Sequence, residues 1–136
     1  MIPLHSDEYE ALEELRYLGR KILRFSKDFL AAKAGLNPEQ YEALLAIKVL
    51  SAAETVTISQ LSQRLQIKHH SAVNIVDRLV ERKLIRRQEG KHDRRERHLE
   101  LTSKGERLIE ELAAVHHKEL RKQSGKWIKV LKRLQR

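Results

Sequence analysis

Apolar residues recur at alternating steps of four and three along the first quarter of the chain: Ala11, Leu15, Leu18, Ile22, Phe25 and Phe29. Leu12, Leu23 and Leu30 widen that stripe, so the pattern predicts one long helix from Asp7 to Lys33. Gly19 is the one break in it, and a glycine costs about 1 kcal/mol against alanine within a helix. A helix this long and apolar needs more cover than a small domain offers, which points to a partner subunit. Gly35 ends the segment.

Asn37-Pro38-Glu39-Gln40 opens a second helix, with Asn37 as cap, Pro38 in the first turn and Gln40 at capping-box spacing. Tyr41, Leu44, Leu45, Ile47, Val49 and Leu50 make it apolar on most sides, so it should be buried and end near Ser51. Ala52 to Thr55 reads as a loop, and Val56 as a short strand pairing with a later hairpin. Thr57 and Gln60 repeat the capping-box spacing before a helix from Ile58 to Leu65, with Leu61 and Leu65 inward. A turn at Gln66-Ile67-Lys68, with Ile67 buried, leads into a fourth helix from about His69 to Arg82. Ala72, Val76, Leu79 and Val80 take its inner face, while His70, Ser71, Asn74 and Arg78 share another.

Leu84 and Ile85 then start a hairpin, Gly90 to Asp93 makes its turn, and Arg97 to Leu101 returns with Leu99 and Leu101 inward. Thr102 or Ser103 caps the next helix, Ser103 with Glu106 having capping-box spacing. Its apolar side is Leu108, Ile109, Leu112, Ala113, His116 and Leu120. Gln123-Ser124-Gly125 is the expected interruption before a last helix with Trp127, Ile128, Leu131 and Leu134 on one side.

Charge sharpens this outline. The 136 residues carry 28 Lys plus Arg against 19 Asp plus Glu, a net +9 that suits an anionic partner, foremost nucleic acid. Residues 68–98 hold 10 basic and 5 acidic side chains, and residues 118–136 hold 8 and 1, so the positive charge has two centres. Six basic residues crowd the hairpin: Arg86, Arg87, Lys91, Arg94, Arg95 and Arg97. No cysteine is present, which excludes disulfides, thiolate metal sites and thiol redox sensing. The first residues lack the make-up of a signal peptide and no apolar run reaches membrane-spanning length, so a cytoplasmic protein without membrane contact is expected.

Helix, turn, helix and hairpin over Ile58 to Leu101 make a winged helix-turn-helix, in which the second helix enters the DNA major groove. The first turns of that helix present His69, His70, Ser71 and Asn74, polar and compact side chains without an acid among them. Asn pairs bidentately with adenine, while His and Ser donate or accept at several base edges. Lys68 at the helix entry and Arg78 further along suit phosphates, which fix register without reading sequence. In the hairpin, Arg94, Arg95 and Arg97 are the DNA-contact candidates, an arginine at the tip suiting a narrow minor groove. Asp93, an acid amid arginines, fits a buttress that holds Arg95 through a charge-assisted hydrogen bond, or a plain turn residue.

The run IKHHSAVNIVDRLVERKLIRR, followed by DRRERHLELTSKGE, resembles the multiple-antibiotic-resistance regulator (MarR) family of transcription factors. Asp93-Arg94-Arg95 and Leu101-Thr102-Ser103-Lys104-Gly105 are its specific part. The resemblance implies a mainly α fold: a winged helix with a small β-hairpin wing at residues 37–101, flanked by dimerisation helices at 1–35 and 103–136, all one domain of 1–136. It further implies a homodimer on a pseudo-palindrome of double-stranded DNA, with Arg95 in the minor groove, acting as a repressor released by a small phenolic or lipophilic effector. Lys83 stands where the family usually has glycine after the second helix, which suggests a changed helix end or wing angle.

Two other readings compete with a sequence-specific regulator. The net charge equally suits a non-specific nucleic-acid binder, although an amide and a small hydroxyl in the reading turn argue for selectivity. Seven histidines, including His116 and His117, raise a metal-responsive regulator. Adjacent histidines point apart on a helix, and no local ligand set is complete, so neither a metal nor another cofactor is expected. No phosphate loop, nucleophile elbow or metalloprotease motif marks the chain as an enzyme.

Overall fold

The computed structural model describes residues 1–89 and 97–136. Helix α1 spans Ser6–Ala34, α2 Pro38–Ser51, α3 Ile58–Leu65 and α4 His69–Glu81; strands β1 (Ile85–Glu89) and β2 (Arg97–Leu101) follow, then α5 (Ser103–Leu134). The two strands pair antiparallel, from Ile85 opposite Leu101 to Glu89 opposite Arg97. Val56 adds a single bridge to Leu99, the short pairing expected from its place before α3.

The local signals act as read. Asn37 accepts from the Gln40 amide at 2.8 Å and the Gln40 side chain returns the bond to the Asn37 amide at 2.9 Å. Thr57 and Gln60 do the same for α3. Each closed box satisfies two otherwise unpaired amides at a helix start. Before α5 the choice resolves to Thr102, whose hydroxyl accepts from the Gly105 amide at 3.0 Å. Glu106, free of a Ser103 box, instead accepts from Lys48 of α2 at 2.6 Å.

Lys83 takes a left-handed conformation of the kind that suits glycine, at φ 61°. The turn is held from both sides. The Leu84 amide reaches back to the Leu79 carbonyl and the Lys83 amide to Val80, while Thr102 donates its hydroxyl to the Lys83 carbonyl at 2.7 Å. These bonds offset the roughly 1–2 kcal/mol that a Cβ costs in that region.

Gly105 explains the glycine of the Leu-Thr-x-x-Gly run. A Cβ there would lie 2.0 Å from the Leu84 carbonyl oxygen, so α5 can start against the end of the α4 turn only with hydrogen at this position.

The core joins Leu44 and Ile47 of α2, Leu61 of α3, Val76 and Leu79 of α4, Leu84, Ile85 and Leu99 of the hairpin, and Ile109 and Leu112 of α5. Three details differ from the sequence reading. Val49 is 63% exposed, so α2 is not buried all round. Ile67 is only half-buried in its turn. Most importantly, α5 is unbroken through Gln123-Ser124-Gly125. A Cβ at Gly125 would meet nothing, so this glycine marks no close approach. Packing on either side decides: His116 and Val130 are buried on the same helix, which outweighs the about 1 kcal/mol cost of one glycine.

α1 and α5 run antiparallel. Ser26 meets His116 near one end of the pair, and Arg133 meets Asp7 and Glu10 at the other.

Candidate nucleic-acid interface

Helix α4 presents its first turns outward because its other face is committed. Ala72, Val76 and Leu79 are fully buried, which rotates His70, Asn74 and Arg78 into solvent, with Ser71 half-buried beside them. Lys68 occupies the N-cap in extended conformation, and no acid lies in the first turn. The helix N-terminus adds a partial positive charge of its own. Lys68, His69, His70, Asn74 and Arg78 are all exposed, so the six expected reading-head residues form one polar, cationic surface.

Of the expected wing contacts, Arg97 is exposed at the start of β2. Asp93, Arg94 and Arg95 lie outside the described residues, and with them the proposed Asp93 buttress.

Two ion pairs that sequence reading missed brace the hairpin. Arg87, half-buried on β1, bonds Asp77 of α4, and Arg86 bonds Glu100 across the strands at 3.2 Å. Asp77 thus ties the reading helix to the wing. Those two arginines had counted as part of the DNA-facing charge; each has an acid partner. Their spacing of ten and fourteen residues carried no sequence signal, because it depends on where the strand docks.

Arg82, at the end of α4, was also missed. It donates to the Ala34 carbonyl at 2.6 Å and to the Gly35 carbonyl at 3.1 Å. Those carbonyls end α1, where the helix dipole is negative. Gly35 there takes a left-handed φ of 62°, leaving its carbonyl turned to the guanidinium. Lys104 of α5 donates to the Arg82 carbonyl at 3.1 Å. One residue therefore fixes the reading helix against α1 and α5 together.

A second polar cluster lies where α1, α2 and α5 meet. His116 is buried and bonded on both ring nitrogens, Nδ1 to the Leu112 carbonyl at 2.7 Å and Nε2 to the Ser26 hydroxyl at 2.9 Å. A carbonyl only accepts, so Nδ1 carries the proton, and in the neutral ring Nε2 accepts from Ser26. Tyr41 stacks on the ring at 4.1 Å between centroids, and Phe25 and Phe29 meet it edge-on. Burial, then the neighbouring Glu42, push the Tyr41 hydroxyl above its ordinary range. His116, raised above as a metal ligand, thus spends both nitrogens within the fold.

The outside of the helix pair is divided. Along one flank, Glu10, Glu13 and Glu14 of α1 face Lys126, Lys129 and Arg133 of α5, and Arg133 bonds Glu10 at 3.3 Å. Along the other, Leu12, Leu15, Gly19 and Leu23 line an apolar groove with Trp127. Leu12 is 44% exposed, Leu23 56% and Leu131 50%, and the buried Trp127 indole nitrogen has no partner among the described residues.

Residues 34–96 match the sequence model of the MarR family. The winged helix of this chain is thus similar to that of the MarR family. Solved structures agree on the fold. MepR, a transcription regulator of the Staphylococcus aureus multidrug efflux pump MepA, superposes with a TM-score of 0.73 at 18% identity, over 82% of this chain and 80% of that one. YusO of Bacillus subtilis is 25% identical, covering 88% of this chain and 83% of its own at a TM-score of 0.67. The regulator BldR of Sulfolobus solfataricus spans 98% of this chain and 97% of its own, at 17% identity and a TM-score of 0.72. No curated protein sequence matches the chain.

Proposed function

We propose that this MarR-family, DNA-binding transcription regulator is a homodimer that reads a pseudo-palindromic operator and acts as a repressor released by a small ligand. The observation that carries the DNA reading is the acid-free first turn of α4, exposed beside a basic hairpin. His70, Ser71 and Asn74 read base edges, Lys68, His69 and Arg78 hold phosphates, and Arg94, Arg95 and Arg97 follow the backbone into the next groove. Asp93 orients Arg95. MepR has been crystallised with DNA, which supports using this fold in that way.

Residues 1–35 and 103–136 supply the dimer face, and residues 37–101 the reading head. The exposed Leu12, Leu23 and Leu131 beside the Trp127 groove support a second copy as their cover. For release, the Ser26–His116–Tyr41 cluster is the candidate effector-sensing point, since it lies among α1, α2 and α5 and pairs buried polar groups with aromatic rings. A related structure, CouR of Rhodococcus jostii, is bound to p-coumaroyl-CoA. Here a small lipophilic or phenolic molecule is proposed.

The test is a fluorescence-anisotropy titration against the DNA upstream of the protein's own gene, with scrambled duplex as competitor. Selective binding that weakens in Asn74→Ala and in Arg95→Ala is expected. Equal affinity for the scrambled duplex would overturn sequence-specific regulation and leave a non-specific binder.

A further inference from the structure

The second centre of positive charge has no part in the reading head. On α5, the buried residues Ile109, Leu112, His116 and Val130 define the face against the rest of the chain. Helical spacing puts Lys118, Lys122, Lys132 and Arg136 together on the opposite side, with Lys129 at the edge of this row, where it also borders the Glu10, Glu13 and Glu14 flank; all five are exposed. Among the described residues none of the five is in an ion pair, whereas Arg133, one step round the helix, is neutralised by Glu10. Glu119 is the only acid after Glu111, and it is turned toward Gln123, half-buried, rather than into the row.

The row covers 18 residue steps, about 27 Å at helical rise. It begins 13 residues beyond Gly105, roughly 20 Å along the axis from where α5 leaves the head. It therefore does not extend the α4 surface.

The chemistry of the row selects its partner. No aromatic or apolar side chain lies in it; Gly125 fills its one gap. A protein partner would need apolar or aromatic anchors in the middle of the surface. A bilayer would need apolar side chains to insert on the same face. Single-stranded nucleic acid would need rings to stack on. A line of ammonium groups alone fits a regular array of phosphates, and about 27 Å matches some eight base pairs of duplex. We infer that the outer face of α5 is a second, sequence-independent contact surface for duplex DNA, which lets the protein hold a second stretch of DNA while the head reads the first.

The test is a bridging assay with the full-length protein. Protein is loaded on an immobilised random-sequence duplex, and a fluorescent second duplex is offered. The wild type is expected to capture it, with capture falling roughly 500-fold between 50 and 200 mM salt if five phosphate contacts are lost by counterion release. A variant with Lys118, Lys122, Lys129, Lys132 and Arg136 all changed to Gln should bind the first duplex and lose capture. The double variant K118E/K129E gives the same answer with fewer changes. A variant of the head, H70A/N74A/K68A, separates the two sites: its row should still bind random duplex. That arm also distinguishes failure of the row from failure of the head as a DNA reader. Capture that survives in both row variants, or no capture by the wild type, would overturn the inference. So would stronger capture of phosphatidylserine vesicles or polyglutamate than of duplex.

Discussion

The winged helix and the helix pair solve the same problem differently. Around Leu44, Leu61, Leu79 and Leu99 the head closes its core within one chain, to 0–1% exposure. Along α1 and α5, Ala11, Leu18 and Leu30 are buried, but the outside of the pair is divided between charge, with Arg133 on Glu10, and an apolar groove with Leu23 56% exposed. The head is thus closed as a folded object, whereas the helix pair leaves an apolar strip that the proposed second copy would cover. For the proposed dimer the divided flanks favour the leucine side, since a second copy on the charged side would have to desolvate glutamates and lysines.

The sharpest way to break this comparison is at the joint between the regions. Gly105→Ala places a methyl 2.0 Å from the Leu84 carbonyl oxygen, and neither backbone can yield alone. A loss of more than about 3 kcal/mol is expected, read as a drop in denaturation midpoint. Gly125→Ala, which meets nothing, should instead stabilise by up to about 1 kcal/mol.

Next comes Arg82→Ala. It removes two charge-assisted bonds to the end of α1 and should cost about 1.5–3 kcal/mol. Since the same bonds set the angle of the reading helix to α1, operator affinity should fall more than affinity for random duplex. Equal losses on both would make Arg82 a stability residue only.

Lys83→Gly probes the turn between the regions and has the opposite sign. Relief of the φ 61° conformation should stabilise the fold by about 1 kcal/mol in thermal unfolding. No gain would mean that the Thr102 and Leu84 bonds already favour this conformation for lysine.

The smallest effect expected is at Glu42. Burial, then Glu39, raise its carboxyl above the ordinary range. A raised folded pKa means that the protonated form favours folding; that contribution is full below the unfolded pKa and lost as pH rises through the folded one. Glu42→Gln should therefore raise the melting temperature slightly at about pH 7 and leave it unchanged at about pH 3.

What could be read beforehand follows how local each cause is. The boxes at Asn37 and Thr57 and the inner face of α4 need only neighbours within a few residues, and the sequence carries them openly. Lys83 was visible as a departure, although its left-handed turn is secured by Thr102, nineteen residues on. Arg82 on Ala34, Arg87 on Asp77 and Ser26 on His116 depend on how whole elements dock, and no spacing rule marks them. Gly125 misled because its local cost was weighed without the α1 packing that overrides it. Of the candidate site, the α4 face was legible for the same reason as the boxes: its rotation is fixed by apolar residues three and four apart. The partners of Arg86 and Arg87 were not, since a count of basic residues is blind to pairing.

The central claim is that the helix pair is completed by a second copy while the head is not in need of one. Sedimentation equilibrium at micromolar protein tests it directly. The account predicts twice the chain mass of 16.0 kDa for the wild type, and 16.0 kDa for a Leu23→Arg, Leu131→Arg variant that keeps the wild-type helical circular dichroism. A wild type that sediments at 16.0 kDa, with its groove open to water, would contradict it.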